Sequence, residues 1–402
     1  MMNLKDKTVL VGISGGIAAY KTATLVSMLK KAGAEVHVIM TRNACEFISP
    51  MTFETLSGQE CITDTFSRNG SFEVEHVELA KKADLMMIAP ATANIIAKTA
   101  CGIADDMLTT TFLALQCPKV VVPAMNTRMY DNPVTQDNIE KLKNYGTIVT
   151  RPAVGRLACG DIGAGKMPEP DELFDIVEYI IAKEKDLAGK KVLVTAGATR
   201  EAIDPVRFIT NHSSGKMGFA IARECAARGA DVTVIKAATS AKAPRFCNII
   251  DVSDAQDMYE KVSESFADKD IVVMAAAVAD YTPKTYSSDK IKKTGENPCV
   301  ALARTKDILA YMGERKRSGQ FLCGFSMETK DLIENSKLKL KRKNADMIVA
   351  NNLKETGAGF GTDTNIVTLI SKDSVETTEL MSKADAAALI VDRIVGRIKD
   401  KI

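Results

Sequence analysis

The sequence of 402 residues lacks the features that mark several classes of protein. Its 53 basic residues nearly balance its 51 acidic ones, and no basic run is long enough to follow a nucleic-acid backbone. Every apolar run is broken within about ten positions, short of the ~20 residues that cross a bilayer. We therefore predict neither nucleic acid nor a membrane as a partner.

Cysteine pairs and targeting signals are also missing. The nine cysteines are scattered without a C-x-x-C pair, which suits reduced thiols better than a disulfide framework or a zinc site. Any cysteine chemistry would then depend on a single thiol. Residues 1–16 run directly into a strand-like segment and lack the layout of a cleaved signal peptide, so we expect a cytoplasmic protein.

The first half of the chain alternates short β-rich runs with longer amphipathic stretches. This alternation is typical of βαβ units and a parallel sheet. We predict strands at Thr8–Ile13, Glu35–Thr41, Asp84–Ala89 and Lys119–Pro123, and helices at Ile17–Ala32, Asp105–Leu115 and Glu172–Lys183.

The same pattern stops in the polar segment Lys183–Lys190 and then restarts, which predicts domains at 1–189 and 190–402. The second half contains predicted strands at Lys191–Thr195, Asp231–Ile235, Asp270–Ala277, Asp346–Ala350 and Ile366–Ser371, and predicted helices at Gly218–Arg228, Ala255–Ala267, Lys330–Lys343 and Lys383–Lys399. We predict an α/β fold with two doubly wound parallel-sheet domains. Ligands of such sheets bind beyond the carboxyl ends of the strands.

Glycine-rich turns follow the first strand of each half. Residues 12–16, Gly-Ile-Ser-Gly-Gly, can offer backbone amides, the helix dipole and the Ser14 hydroxyl to a phosphate. The spacing of these glycines matches neither the G-x-G-x-x-G motif nor the P-loop motif. The alternative to a phosphate site is a tight turn that binds no ligand. Residues 213–216, Ser-Ser-Gly-Lys, form the better candidate anion cradle because they add a lysine to two hydroxyls.

Other candidate residues of the first half also follow strands or lie in loops. Thr92 follows the third strand and is a candidate ligand contact, but a role as a helix N-cap would account for a threonine at this position almost as well. Asn126 follows the fourth strand. His76 could act as a base or donor, or be an ordinary surface or core histidine. Cys159 lies in a glycine-rich stretch typical of a mobile flap, with a buried inert thiol as the alternative.

In the second half, small residues at 275–279 end a predicted strand and would admit a flat ligand beside Asp280. The lysines at 290, 292 and 293 could neutralise a triphosphate or form a solvated charge run. Lys339 and Lys343 share one helical face, which could equally be solvated.

Taken together, these motifs resemble the bifunctional family of coenzyme A synthesis that fuses phosphopantothenoylcysteine decarboxylase to phosphopantothenate–cysteine ligase. The resemblance covers nearly the whole chain. Residues 14–21, 89–94, 123–126 and 158–161 look like flavin-dependent cysteine decarboxylases, and residues 195–207, 210–216, 275–281, 290–293 and 343–351 look like the ligase. It implies a flavodoxin-like first domain and a Rossmann-like second domain.

For the second half, the resemblance implies that a substrate carboxylate attacks the α-phosphate of CTP and releases pyrophosphate. The amine of cysteine then opens the acyl-cytidylate. Asn211 matches the position needed to form that intermediate and Lys290 the position needed to consume it. The resemblance implies Mg²⁺ without assigned ligands, and it implies CTP contacts at Ser213, Ser214, Gly215, Ala275, Asp280, Lys290, Lys306, Asp307, Ile308, Leu309, Phe325, Lys339 and Lys343.

For the first half, the resemblance implies that FMN oxidises the cysteinyl thiol to a thioaldehyde, which lets the carboxylate leave as CO₂. His76 matches the essential histidine, Asn126 the residue that holds the carboxylate, and Cys159 the acid that protonates the enethiol. The implied FMN contacts are Ser14, Gly15, Gly16, Thr41, Pro90, Thr92 and Asn94. The family also implies a homo-oligomer, a dodecamer with trimeric decarboxylase and dimeric ligase halves.

Two alternatives come from other classes. One is an NAD(P)-dependent oxidoreductase, against which the missing G-x-G-x-x-G motif counts. The other is a noncatalytic flavin- or nucleotide-binding regulator, which the joint presence of His76, Asn126 and Cys159 makes the weaker hypothesis.

Overall fold

The computed structural model describes residues 4–65, 75–157, 160–292, 299–328, 331–352 and 361–399. It divides into two compact units, Met1–Lys183 and Glu184–Ile402. Within the described ranges, we find no helix that combines the length and the apolar character of a membrane span.

The first unit contains seven strands and nine helices in its described part. The strands are β1 (Thr8–Ile13), β2 (Glu35–Met40), β3 (Leu85–Ala91), β4 (Lys119–Pro123), β5 (Ile148–Val149), β6 (Ala153–Arg156) and β7 (Ile162–Lys166). The helices are α1 (Ala19–Lys31), α2 (Arg42–Cys45), α3 (Pro50–Ser57), α4 (Glu75–Lys82), α5 (Ala93–Cys101), α6 (Met107–Ala114), α7 (Thr127–Tyr130), α8 (Pro133–Asn144) and α9 (Pro170–Ile181).

Five of these strands form a parallel sheet in the order β2-β1-β3-β4-β5. This is the flavodoxin-like order, so the fold predicted for the first half is confirmed. Helices cover both faces of the sheet, and β1 is therefore buried along its whole length. Val9 and Val11 enter the core on one face and Leu10 the core on the other, as the alternation of side chains along a strand requires.

The second unit contains fourteen strands and five helices in its described part. The strands are β8 (Lys191–Ala196), β9 (Arg200–Ala202), β10 (Phe208–Thr210), β11 (Asp231–Lys236), β12 (Asn248–Asp251), β13 (Ile271–Met274), β14 (Tyr281–Pro283), β15 (Leu302–Arg304), β16 (Phe321–Glu328), β17 (Met347–Asn352), β18 (Thr364–Asn365), β19 (Val367–Ser371), β20 (Val375–Thr377) and β21 (Met381–Ser382). The helices are α10 (Lys216–Ala227), α11 (Ala255–Phe266), α12 (Ile308–Arg315), α13 (Leu332–Arg342) and α14 (Lys383–Lys399).

Its main sheet has the order β12-β11-β8-β13-β16-β17-β19-β20. The first six strands are parallel and follow the Rossmann order, which confirms the fold predicted for the second half. Strands β19 and β20 are antiparallel additions to the sheet. A strand was predicted at the position of β19, as Ile366–Ser371, but β20 and the antiparallel pairing were not predicted. The predicted strand Asp270–Ala277 ends earlier, at Met274, because the main chain of Ala276 turns to bond the Thr195 hydroxyl at 3.1 Å.

Candidate functional site

Hydroxyl groups join two strand ends at the carboxyl edge of the first sheet. The buried Oγ of Ser14 donates a hydrogen bond to the carbonyl oxygen of Pro90 at 2.8 Å and accepts one from the amide of Thr92 at 3.0 Å. The Thr92 hydroxyl accepts from the amide of Ile95 and caps α5. Thr41 lies at the same edge, where its amide bonds the carbonyl oxygen of Ile13 at 3.0 Å. The interpretation of Thr92 as a helix N-cap is therefore confirmed. The same residue is one of the predicted FMN contacts.

The β1–α1 turn packs tightly against Asn43 of α2. A Cβ added at Gly15 would lie 2.5 Å from the Cβ of Asn43, so no larger residue fits there. At Gly16 the nearest atoms are at ordinary contact distance. Among the described residues, no side chain caps the first turn of α1, and that turn contains no acidic residue. An anion at this helix terminus would therefore meet a favourable dipole. Asn94 is exposed in the first turn of α5.

Asn126 follows β4 and contacts the hairpin formed by β6 and β7. Its Oδ1 accepts from the amide of Arg128 at 2.8 Å and caps α7, and its Nδ2 donates to the carboxylate of Asp161 at 3.1 Å. The hairpin packs closely here, since a Cβ on Gly165 would lie 2.2 Å from the carbonyl oxygen of Met125. Cys159 lies outside the described residues.

His76 occupies the first turn of α4, which packs against α6 and leads into β3. The side chain is half-buried. Within the part of the chain that the structure describes, no hydrogen bond joins His76 to Asn126 or to Ser14. The unit thus brings Ser14, Thr41 and Thr92 to one edge, and its described part contains no hydrogen bond between His76 and Asn126.

In the second unit, α10 begins tightly against the end of β8. Gly215 caps this helix in the left-handed conformation, and a Cβ there would lie 2.5 Å from the Thr239 hydroxyl. The Ser213 hydroxyl accepts from the Gly215 amide at 3.3 Å, and the Thr239 hydroxyl donates to the carbonyl oxygen of Ser214 at 2.6 Å. The predicted cradle differs from expectation at Lys216, whose Nζ bonds Asp363 at 2.7 Å and Gly361 at 3.1 Å. Its charge is thus matched by a carboxylate.

A cavity of about 770 Å³ opens beyond the carboxyl ends of β13 and β16. Eight predicted nucleotide contacts line it: Asp280, Lys306, Asp307, Ile308, Leu309, Phe325, Lys339 and Lys343. Ser213, Ser214, Gly215, Ala275 and Lys290 are not part of its lining, as far as the described residues define it. Arg304 and Arg342 also line the cavity and were not predicted from the sequence. Arg342 follows Lys339 by one helical turn, a spacing that could have identified it.

The cavity favours anions because its lining has five cationic side chains and only two carboxylates. Lys339 Nζ donates to the carbonyl oxygen of Phe325 at 2.8 Å, and Lys343 Nζ donates to the carboxylate of Asp307. Burial opposes ionisation of Asp307, but the hydrogen bonds from Lys343 and from the Ala310 amide hold its pKa below the usual range. Lys306 stacks over the ring of Tyr259 at 4.2 Å.

Asn211 lies on a loop beside this cavity, whereas Lys290 lies on a loop outside its described lining. The Nδ2 of Asn211 donates to the carbonyl oxygens of Ala277 at 3.2 Å and Val278 at 3.3 Å, and Val278 lines the cavity. Lys290 is exposed. The structure thus places Asn211 beside the cavity wall and leaves the Lys290 ammonium accessible to solvent.

Residues 2–183 match the family model described as Flavoprotein, and residues 187–398 match the DNA/pantothenate metabolism flavoprotein C-terminal domain. The chain is 47% identical over 400 residues to the coenzyme A biosynthesis bifunctional protein CoaBC of Bacillus subtilis (strain 168), covering 98% of each chain. This chain belongs to the CoaBC family. The CoaBC protein of Vibrio cholerae serotype O1 is 44% identical over 396 residues, covering 98% of this chain and 99% of that protein.

The crystal structure of a CoaBC C-terminal domain is 40% identical to this chain, with a TM-score of 0.47. The match between the two covers 54% of this chain and 100% of the chain in that crystal structure. The family resemblance read from the sequence motifs is therefore confirmed by full-length relatives and by both family models.

Proposed function

We propose that the chain catalyses two consecutive steps of coenzyme A biosynthesis. The second unit ligates cysteine to 4'-phosphopantothenate with CTP, and the first unit decarboxylates the product to 4'-phosphopantetheine with FMN. The observation that carries the proposal is the strongly cationic cavity at the carboxyl edge of the Rossmann sheet, lined by eight residues that the family resemblance implies as CTP contacts. The CoaBC relatives, matched over nearly their full length, support both activities.

In the ligase step, a carboxylate oxygen of phosphopantothenate bonds to the α-phosphorus of CTP as the α–β phosphoanhydride breaks and pyrophosphate leaves. Lys339, Arg342 and Lys343 would offset the charge that develops on the phosphates. Asn211, held by the carbonyl oxygens of Ala277 and Val278, would keep a neutral side chain beside the reacting phosphate. The cysteine amine then attacks the acyl carbon, CMP leaves, and Lys290 would stabilise that second transition state.

Mg²⁺ would reach this unit with the phosphates of CTP. In the described ranges, no group of three or more His, Cys, Asp or Glu side chains could hold a metal ion. We therefore assign no Mg²⁺ ligand to the chain and place no chemical step on the ion.

In the decarboxylase step, the residues at the first sheet edge fit a flavin phosphate, because the Gly15 turn, the α1 terminus and the Ser14–Thr92 pair converge there. Ser14, Gly15, Gly16, Thr41, Pro90, Thr92 and Asn94 would hold FMN. Bound flavin supplies a two-electron oxidation, which gives the departing carboxylate an electron sink. Asn126 would hold that carboxylate through Nδ2, and the Cys159 thiol would donate the final proton. His76 would act on the cysteinyl thiol.

Two measurements on the isolated protein test the proposal. We expect flavin absorbance, and pyrophosphate formed from CTP only when phosphopantothenate is present. A protein that binds a nicotinamide cofactor instead would support an oxidoreductase, and one that binds flavin and CTP without forming product would support a regulator. We also propose a cytoplasmic homo-oligomer, a dodecamer as the family implies, which light scattering can test.

A further inference from the structure

The ammonium group of Lys306, one of the cations of the cavity, lies on an aromatic ring. Its Nζ is 4.2 Å from the centroid of the Tyr259 ring, which belongs to α11. Lys343 differs, because its ammonium donates to the carboxylate of Asp307. A ring face attracts a cation through its quadrupole but carries no net charge. Tyr259 therefore holds the Lys306 ammonium without neutralising it.

A second tyrosine supports the Tyr259 ring. The ring centroids of Tyr259 and Tyr311 are 4.9 Å apart, and the rings meet edge to face at 62°. The guanidinium carbon of Arg315 lies 3.7 Å from the centroid of the Tyr311 ring. Tyr311 and Arg315 are four residues apart on α12 and share one face of that helix. The pair of tyrosine rings thus has a cation at each end.

The main chain on both sides of Lys306 is fixed beside the cavity. The amide of Thr305 donates to the carbonyl oxygen of Asp280 at 3.0 Å, and the Thr305 hydroxyl donates to that of Ala279 at 2.6 Å. Asp307, the next residue along the chain, caps α12. The flexible part is therefore the four-carbon stem of Lys306, and contact with the tyrosine ring restricts where that stem can place its charge.

We propose that Tyr259 is a positioning residue that directs the fully charged ammonium of Lys306 toward the phosphates of CTP. The inference rests on the proposed function, which assigns CTP to this cavity. Lys306 lines the cavity, whereas Tyr259 is outside the lining that the described residues define, so the ring would act through the lysine. A cation–π contact at an exposed site shifts an equilibrium by roughly two- to fivefold, and we expect an effect of this size on CTP binding.

The test is Tyr259→Leu, which removes the ring but keeps an apolar side chain between α11 and α12. In pyrophosphate release, the KM for CTP should rise about threefold, while kcat should stay within about twofold of the unmodified value. Tyr259→Phe keeps the ring and should keep the unmodified KM. Phe112→Leu is the matched control, because it removes a ring that Lys119 covers at 5.0 Å in the first unit. The control should change neither constant.

Combining Tyr259→Leu with Lys306→Gln shows whether the ring acts through the lysine. Lys306→Gln alone should raise the KM for CTP at least as much as Tyr259→Leu does, because it removes the charge itself. The double variant should then have the same KM as Lys306→Gln. A further increase in the double variant, or an increase in Tyr259→Phe equal to that in Tyr259→Leu, would overturn the proposal.

Chemical labelling tests the contact in the full chain without substrates. An amine held against a ring must leave it before it can be acylated, so N-hydroxysuccinimide acetate should label Lys306 roughly two- to fivefold faster in Tyr259→Leu. Mass spectrometry of peptides measures this rate, with the exposed Lys341 as an internal standard that should not change. Unchanged labelling of Lys306 would refute the inference whatever the activity. Faster labelling in a protein that makes no pyrophosphate would support the contact and refute the ligase assignment.

Discussion

Lys343 Nζ donates a hydrogen bond to the carboxylate of Asp307 and so links the C-terminal end of α13 to the N-terminal cap of α12. Asp307 in turn accepts from the Ala310 amide at 2.9 Å. The two helices thereby present a cation and a carboxylate to the same cavity. The contact gives the first prediction.

Lys343→Gln should raise the KM for CTP by about tenfold, the equivalent of losing one hydrogen bond to a charged group. The KM for cysteine should stay unchanged, because the lost charge faces the nucleotide. Pyrophosphate release at varied CTP measures the effect. Lys341→Gln is the matched control, since it removes the same charge from α13 at an exposed position outside the cavity lining. Equal effects of both variants would show that net charge, and not the cavity, determines CTP binding.

Asn211→Asp should slow pyrophosphate formation by at least about a hundredfold. The substitution replaces an amide donor by an acceptor that faces the carbonyl oxygens of Ala277 and Val278, and it adds negative charge near the phosphates. Asn248→Asp makes the same change at the start of the edge strand β12 and should have little effect. Rapid pyrophosphate release by Asn211→Asp would remove the role assigned to Asn211.

The sequence predicted β1 and β4 to the residue but missed β16 and α12. Both predicted strands are short apolar runs that end at a turn. In β16, Gly324 interrupts the apolar pattern, and the structure gives the reason, since a Cβ there would lie 2.6 Å from Leu309 of α12. The glycine admits the helix, so neither element could be recognised without the other.

Some residues of the candidate site could be predicted from the sequence, and others could not. The motif residues along strand ends, such as Ser14 and Asp280, could be located because a parallel sheet gathers its strand ends at one edge. The partners of Lys216 and Ile291 could not, because Asp363 and Arg207 lie far away in sequence. Contacts of this kind depend on loop conformations that local patterns do not specify.

The ionised Asp204 predicts a pH dependence of stability. The pKa of Asp204 in the folded chain is far below the value of about 3.9 expected in the unfolded chain. The ion pair between Asp204 and Arg207 therefore stabilises the protein fully when the pH is above the unfolded-chain pKa. The advantage is lost as the pH falls toward the folded pKa. The difference in unfolding free energy between the unmodified protein and Asp204→Asn should therefore be constant above about pH 5 and shrink below about pH 4. Urea unfolding at several pH values would contradict this if the difference grew on acidification.

Cys159→Ser should still bind FMN and release CO₂, but it should fail to form the saturated product. Serine is a much weaker acid than a thiol of pKa about 8.5, so the enethiol would not be protonated. Mass spectrometry of a single turnover should detect a product that lacks two hydrogen atoms. The control is Cys101→Ser, at an exposed cysteine of the same unit. Normal product from Cys159→Ser would show that another group supplies the proton.

Residues 1–183 and 184–402, expressed separately, should each fold and keep one half of the activity. The chain forms two compact units with their own sheets, and the predicted boundary at 189 lies close to this division. Circular dichroism and the two half-assays measure the outcome. Two unfolded fragments would mean that the halves depend on each other for stability.

The most direct test of the two-step account uses cysteine that carries an isotopic label at its carboxyl carbon. The unmodified protein is supplied with labelled cysteine, phosphopantothenate, CTP and Mg²⁺, and both labelled CO₂ and pyrophosphate are measured. We predict equal amounts of the two products, with no labelled CO₂ when either CTP or phosphopantothenate is omitted. Labelled CO₂ without CTP, or pyrophosphate that never leads to labelled CO₂, would contradict the claim that one chain performs both steps.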